Sequence, residues 1–351
     1  MKSSPTKRKN RTLEVSKNKS NQTEQYIHLR YCESGTQLYF IQCRSRYFSN
    51  YMHQVKISEL NNMPNDDSVN EDIKILREWI VKQPHLPQNI HDVMLHRFLH
   101  TCSYSREKAK SLIDLFYSIR SQAPELFSNR DPTLKTLQDC FKAIDMIPLP
   151  KLTDKNYKLL IYRLADPDPE KFTFADSVKS FYMLSDVRML VEKEYPDGEV
   201  PIFDFSGSSW KHVTRMPLPI VKKYMVYSQE AHPIRLKEIH LINIPTFLDK
   251  LLAVMKPFMK SEIASMIRTH QPNSTTLFDY VPRELLPEEY GGSIGKMEDL
   301  KATWMKRLLE NRDYIIDESR WAVNESKRPI QNEYKKQLFG VEGSFKSLSI
   351  D

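Results

Sequence analysis

Two stretches of this chain carry side chains at spacings that suit a chemical task. In Ile234-Arg235-Leu236-Lys237, cations alternate with apolar residues. On a strand, where side chains alternate in direction, both cations would share one face. A planar guanidinium beside an ammonium suits phosphate oxygens. Lys222 and Lys260, in neighbouring elements, could extend the basic set. A solvated polar strand face has the same pattern. The second stretch runs from Phe247 to Met259. On a helix, Phe247, Leu248, Leu251, Leu252, Val254, Met255, Phe258 and Met259 fall on an arc of roughly 160°, with Asp249, Lys250 and Lys256 outside it. Pro257 should end or kink that helix near its own position. The stripe fits a helix packed permanently on a sheet. It also fits a mobile apolar cover or a membrane-inserting face, which two Phe and two Met on one short segment would suit.

The parts of most enzymes are missing. No GxGxxG follows a strand and no GxxxxGK[ST] loop occurs, so nucleotide cofactors lack their phosphate cradle. No GxSxG elbow presents an acyl-transfer serine. The glycine cluster Gly291-Gly292-Ser293-Ile294-Gly295 follows a proline-rich turn and reads as a loop. His212, His232, His240 and His270 are isolated in sequence and read as structural histidines. Cys32, Cys43, Cys102 and Cys140 lie far apart, which suits neither a metal site nor a disulfide framework and fits the cytosol. The expectation is a protein that is not an enzyme and needs no cofactor or metal.

The elements that position the two stretches follow from periodicity. Ile73, Leu76 and Ile80 are at helical spacing; Val93, Leu95, Phe98 and Leu99 belong to a second helix and Leu112, Leu115, Phe116 and Ile119 to a third. Beyond about residue 155 the pattern predicts strands at Tyr157–Ala165, Val200–Phe205, Ile234–Ile244 and Glu262–His270. Helices are predicted at Phe174–Tyr195, Pro217–Ala231 and Phe247–Lys256. Alternating strands and helices imply a mostly parallel α/β sheet. A last amphipathic helix carries Met297, Leu300, Trp304 and Leu308.

The net charge of +7 sits at one end. Residues 1–60 hold 11 Lys and Arg against 4 Asp and Glu, and the 41 basic side chains of the remainder are matched by 41 acidic ones. The body of the chain therefore has no charge excess to support nucleic-acid binding. The polar, basic stretch 1–62 reads as a disordered leader, with Tyr39-Phe40-Ile41 as a short strand candidate. Its start leads into no apolar segment and is not read as a secretory signal. No run of about 18 apolar residues suggests a membrane span.

Four motifs then stand in order: Ile202-Phe203-Asp204-Phe205-Ser206-Gly207, Ile239-His240-Leu241-Ile242-Asn243-Ile244-Pro245, Lys256-Pro257-Phe258, and Leu285-Leu286-Pro287-Glu288-Glu289-Tyr290-Gly291-Gly292. With Arg97-Phe98-Leu99 upstream, the chain from Glu71 to Gly295 resembles the CRAL-TRIO lipid-transfer family. The resemblance implies an α/β domain over about 150–295 that encloses one apolar ligand. A small all-helical domain over 65–130 would precede it, and a C-terminal helix and tail over 296–351 would follow. It implies that Phe247, Leu248, Leu251, Leu252, Met255, Phe258 and Met259 form a gate. The pocket wall would comprise Val178, Phe181, Ser185 and Met189 from a helix, Ile202, Phe203 and Phe205 from one strand, and Ile239 and Leu241 from another. Phe247, Leu251 and Met255 would also touch the ligand. Arg235 and Lys237 match phosphoinositide-binding positions, whereas other such positions hold Cys102, Glu262 and Met266. The implied function is a cytosolic carrier of a tocopherol-, retinoid- or phospholipid-like molecule. It would exchange that cargo with endomembranes by peripheral contact and recognise phosphoinositides. A lipid sensor or scaffold that holds but does not move its lipid is the alternative.

Overall fold

The computed structural model describes residues 10–12, 28–30 and 67–329. The chain divides into two units, Met1–Leu60 and Asn61–Asp351. In the first, β1 (Asn10–Thr12) pairs antiparallel with β2 (His28–Arg30), where composition had suggested no structure. Tyr39-Phe40-Ile41 lies outside the described residues.

The second unit begins with the helical module: α1 (Asp67–Val81), α2 (Asp92–Thr101), α3 (Arg106–Ser121) and the single turn α4 (Pro124–Phe127). Each longer helix buries the stripe its periodicity marks, so Ile73, Leu76, Leu95, Phe98, Ile113 and Phe116 meet in one core. Then α5 (Lys135–Ala143) leads directly into β3 (Ile144–Leu152). Neither was expected. Pro148 and Pro150 argue against an interior strand, and β3 accommodates them by lying at the sheet edge, where an unused N–H costs nothing.

The sheet continues with β4 (Tyr157–Leu164), β5 (Gly198–Asp204), β6 (Ile239–Ile242) and β7 (Ile267–Thr269), in spatial order β3-β4-β5-β6-β7. Only β3–β4 is antiparallel; the other three pairs are parallel, as the alternating pattern required. Between these strands run α6 (Phe174–Val191), α7 (Trp210–Thr214), α8 (Leu218–Glu230), α9 (Leu248–Met255) and α10 (Ser261–Ser265). α11 (Met297–Glu310) and α12 (Arg312–Ile316) close the order.

Two strand assignments need correction. The expected strand Ile234–Ile244 is regular only over β6; Ile234–Lys237 makes one bridge, Leu236 to Glu199. The expected strand Glu262–His270 is α10 followed by a three-residue strand.

α6 joins the two halves of this unit. Its Val178, Tyr182 and Met189 enter the core of the helical module, while Met183, Leu184 and Val187 pack with Trp304 and Leu308 of α11. One carboxylate fixes the first contact. Asp186 of α6 accepts 2.8 and 2.6 Å bonds from the two terminal nitrogens of Arg120 in α3, and a third bond from Arg130. Arg120 also donates to the Tyr227 hydroxyl of α8 at 2.7 Å, and both guanidiniums lie on the Trp321 ring.

Candidate functional site: the apolar face beneath α9

α9 lies on one face of β5 and β6. Period-two alternation places Phe203, Phe205, Ile239 and Leu241 on that face, in one cluster with Phe247, Leu248, Leu251, Leu252 and Met255. Asp249, Lys250 and Lys256 point to solvent, as the stripe required. Pro257 ends α9, and Lys256–Phe258 continues as a single 3₁₀ turn. Met255, Phe258 and Met259 pack against the cluster that α6 and α8 share with the helical module. Its far end is held by Gln229 of α8, whose amide donates to the Phe258 carbonyl at 2.8 Å and accepts from the Lys260 amide at 2.7 Å. Nothing local in the sequence marked Gln229.

Ile202 is not part of this face. It is fully buried on the opposite side of β5, with Ile147, Leu159, Ile161 and Ile242. The same alternation that brings Phe203 under α9 turns Ile202 away.

The expected helix positions also divide. Phe181 and Ser185 line a small cavity, with room for about one water, together with Leu160, Tyr162, Arg188, Glu199 and His232. Val178 turns into the core of the helical module. Met189 lines a second, partly open cleft with Arg97, His100, Arg188, Glu199 and Arg235. An aromatic wall separates the smaller cavity from α9: Tyr162 stacks on Phe203 at 5.0 Å and meets Phe181 edge-on at 5.5 Å.

Charge is buried beside these cavities. Lys158 pairs with Glu192 at 2.7 Å, Arg188 with Glu192 at 3.2 Å, and Arg188 with Glu199; all four side chains are below a tenth exposed. Arg188 lies two helical turns along α6 from Phe181, and Glu199 reaches it from the neighbouring strand.

The four cations expected to meet phosphate have different surroundings. Arg235 donates to the Thr101 carbonyl at 3.1 Å and to the His100 carbonyl, and so caps the C-terminal end of α2. Lys260 pairs with Glu230 at 2.7 Å. Lys222 is half-buried on α8. Lys237 is exposed, with its ammonium 5.5 Å from the Tyr157 ring centre. Its stem crosses Gly198 so closely that a Cβ there would stand 2.1 Å from the Lys237 Cγ. Arg235 and Lys237 both bond to Glu199 through their main chains, at 2.7 and 3.0 Å, flanking the Leu236 bridge.

The four histidines are structural in their contacts. His232 bonds the Ser185 hydroxyl at 2.7 Å, His240 bonds His270 at 2.9 Å, and His212 completes a capping box with Ser209. Burial, with help from Arg188 and Arg120, pushes the His232 imidazole down from 6.5 to about 3. Burial also lowers His240 and His270. Between pH 6.5 and about 3 the unfolded chain binds a proton at His232 that the folded chain refuses. Stability is therefore intact above pH 6.5 and is lost as the pH falls, by about 1.4 kcal/mol per pH unit for that one group. Urea midpoints measured at pH 7 and pH 5 should differ accordingly, and the difference should shrink in His232→Gln. Equal slopes for parent and variant would remove His232 as the cause.

One face of a mostly parallel sheet is covered by a single apolar helix, beside a helical module that packs on the same α/β unit. The chain carries a CRAL/TRIO domain: residues 145–292 match the family model of that description, and 65–137 match Pinta-like, UBA domain. The α-tocopherol transfer protein-like protein of Homo sapiens is 28% identical over 248 residues, 70% of this chain and 71% of its own. Clavesin-2 of Rattus norvegicus is 27% identical over 286 residues, 80% of this chain and 84% of its own. Clavesin-1 of Xenopus laevis is 25% identical over 256 residues, 72% and 75% respectively. The CRAL/TRIO match begins within β3. Among the described residues, no helix is long and apolar enough to cross a membrane.

Proposed function

We propose that this protein encloses a single hydrophobic lipid between α9 and the sheet and transfers it to and from membranes, without catalysing a reaction. The carrying observation is the one-sided stripe of α9 set on Phe203, Phe205, Ile239 and Leu241. The name of the tocopherol transfer relatives supports a cargo of tocopherol size, and a retinoid or a phospholipid fits the same description. Burying a chain of ~20 carbons at about 0.8 kcal/mol per CH₂ makes escape into water very slow. Release then requires α9 to open into an apolar medium, so contact with a membrane acts as the trigger. In this reading the protein works in the cytoplasm and attaches peripherally to endomembranes.

The test is native mass spectrometry of the purified protein, followed by vesicle-to-vesicle transfer of the lipid it yields. One lipid per chain and accelerated transfer are expected. A chain without lipid that accelerates nothing would overturn the proposal, and a loaded chain that transfers nothing would make it a sensor or scaffold.

For membrane contact, Arg235 and Lys237 provide the proposed phosphate-facing pair, and Lys222 and Lys260 complete the proposed basic set. Their surroundings predict unequal effects. Arg235→Glu should loosen the end of α2, whereas Lys237→Ala should leave melting unchanged. It should weaken binding to vesicles containing phosphoinositide by about 1 kcal/mol, roughly fivefold, at low salt. The loss should shrink as the screening length falls from about 30 Å at 0.01 M to about 8 Å at 0.15 M salt. Co-sedimentation that is indifferent to Lys237 would exclude this site.

A further inference from the structure

α9 lies in the middle of a crossover. Its segment leaves the sheet at β6 and returns at β7, a three-residue strand at the sheet's edge. These two strands are the stems of α9, and His270, directly after β7, ties them together. Its amide donates to the Leu241 carbonyl at 2.8 Å, and its carbonyl accepts from the Ile244 amide at 3.3 Å, just where the chain turns off toward α9. A side-chain bond reinforces the tie on the sheet face opposite α9, where His240 stands in register with Ile202. There the His240 and His270 rings bond at 2.9 Å, and both are almost wholly buried.

The partners of the pair fix where its protons sit. His240 Nε2 lies 3.2 Å from a Glu238 carboxylate oxygen, which only accepts, so that nitrogen carries hydrogen. Neutral His240 then accepts at Nδ1, and His270 Nε2 donates to it. His270 Nδ1 in turn accepts from the Thr276 hydroxyl at 2.8 Å, and Thr276 meets the Ser274 hydroxyl at 2.8 Å. One extra proton fits this chain. It goes to His270 Nδ1, and the two hydroxyls rotate so that Thr276 accepts from the ring and donates to Ser274. A second does not fit, because both nitrogens of the 2.9 Å contact would then carry hydrogen and two cations would be buried side by side. The charged and titratable groups around the pair are Glu238 before β6, Arg268 on β7, and Asp279 and Tyr280 after it; β5 presents Ile202. Burial lowers both imidazoles.

We infer that the His240–His270 pair is a pH-sensitive staple across the stems of α9, which holds the helix down near neutral pH and lets it loosen in acid. The consequence rests on the carrier reading above: cargo is retained near neutral pH and leaves faster as the pH falls. The sign follows from counting protons. With the stems parted, each ring meets water and takes a proton near its ordinary value of 6.5; with the stems joined, the pair takes one at most. The joined form is therefore intact above pH 6.5, and below it each pH unit favours the parted form by up to about tenfold for every proton refused.

Hydrogen–deuterium exchange of the full-length protein, read by mass spectrometry at pH 7.5 and 5.5 and corrected for the intrinsic pH dependence of amide exchange, tests this. Amides of residues 239–270 should exchange at least about fivefold faster at pH 5.5. His270→Gln should cut that acceleration at least threefold, because a glutamine can turn its oxygen toward a protonated His240. If that variant does not fold, His240→Gln takes its place. If neither folds, the parent decides: an acceleration confined to 239–270 supports the inference, and one shared equally with α1 to α3 overturns it. Exchange over 239–270 that ignores pH overturns it, and so does an equal acceleration in the parent and a folded variant. No lipid enters this measurement, so the two readings fail separately. A chain that carries and transfers no lipid overturns the carrier reading and leaves the acid loosening of α9 standing.

Discussion

Asp186→Ala is expected to cost about 3–5 kcal/mol of folding stability, because it leaves two guanidiniums buried without their counter-charge. Arg120, Arg130 and Asp186 are all nearly inaccessible, and a water drawn into the gap would not supply the lost negative charge. Burial alone would raise the Asp186 carboxyl; the charges of Arg120 and Arg130 outweigh it and hold the group below its ordinary value. Against a total of about 5–15 kcal/mol for a typical domain, this single change approaches complete unfolding. The consequence reaches beyond α6. Arg120 belongs to the helical module, Tyr227 to α8, and Trp321 to the C-terminal segment. Urea titration should show a lower midpoint for the whole unit as one transition. A loss below about 1 kcal/mol, within the range of surface ion pairs, would show that the triad is not what joins the two halves.

The double substitution Leu251→Asp with Met255→Asp should abolish lipid transfer while the protein remains folded. Both side chains lie on the apolar stripe of α9, Leu251 against Leu241 and Leu248, and Met255 also toward the helical module. If α9 opens, each side chain faces lipid or membrane in turn, so a carboxylate is disfavoured in the closed and the open state alike. Each unpaired charge costs several kcal/mol in an apolar setting, enough to reduce loading more than about a hundredfold. A permanent core helix predicts a different result. Losing two buried aliphatic side chains there costs about 2–5 kcal/mol each, and the double variant would unfold. Circular dichroism with melting, read beside the transfer rate, separates the cases. Global unfolding makes α9 part of the core, and a folded variant with full transfer takes α9 out of the mechanism.

The sequence was most informative where one physical period governed a whole segment. The helices α1 to α3 bury the stripes read from their spacing, and β4 and β5 lie within two residues of their expected limits. Pro257 ends α9 for a local reason, its missing N–H and fixed ring. Ile202 could have been assigned correctly from the same information. It neighbours Phe203 on one strand, so the two cannot share a face. Taking Ile202 and Phe203 as one wall set aside the alternation already visible in the chain.

Other features depended on partners distant in the chain. β3 carries two prolines and is a strand because the sheet ends there, which no window around Pro148 reveals. Arg235 and Lys237 look alike in sequence, yet one is bound to the carbonyls of α2, well over a hundred residues away, and the other stands in solvent. Arg188 and Glu199 meet across a helix and a strand, and their balance with Lys158 and Glu192 exists only once β4, β5 and α6 are assembled. Backbone periodicity and proline chemistry act over a few residues, so the sequence alone determined α1 to α3, α6, α8, α11, the strands β4 and β5, and the apolar stripe of α9. Which charges are buried, and what neutralises them, depends on contacts between segments far apart in the chain; the tertiary structure alone decided those.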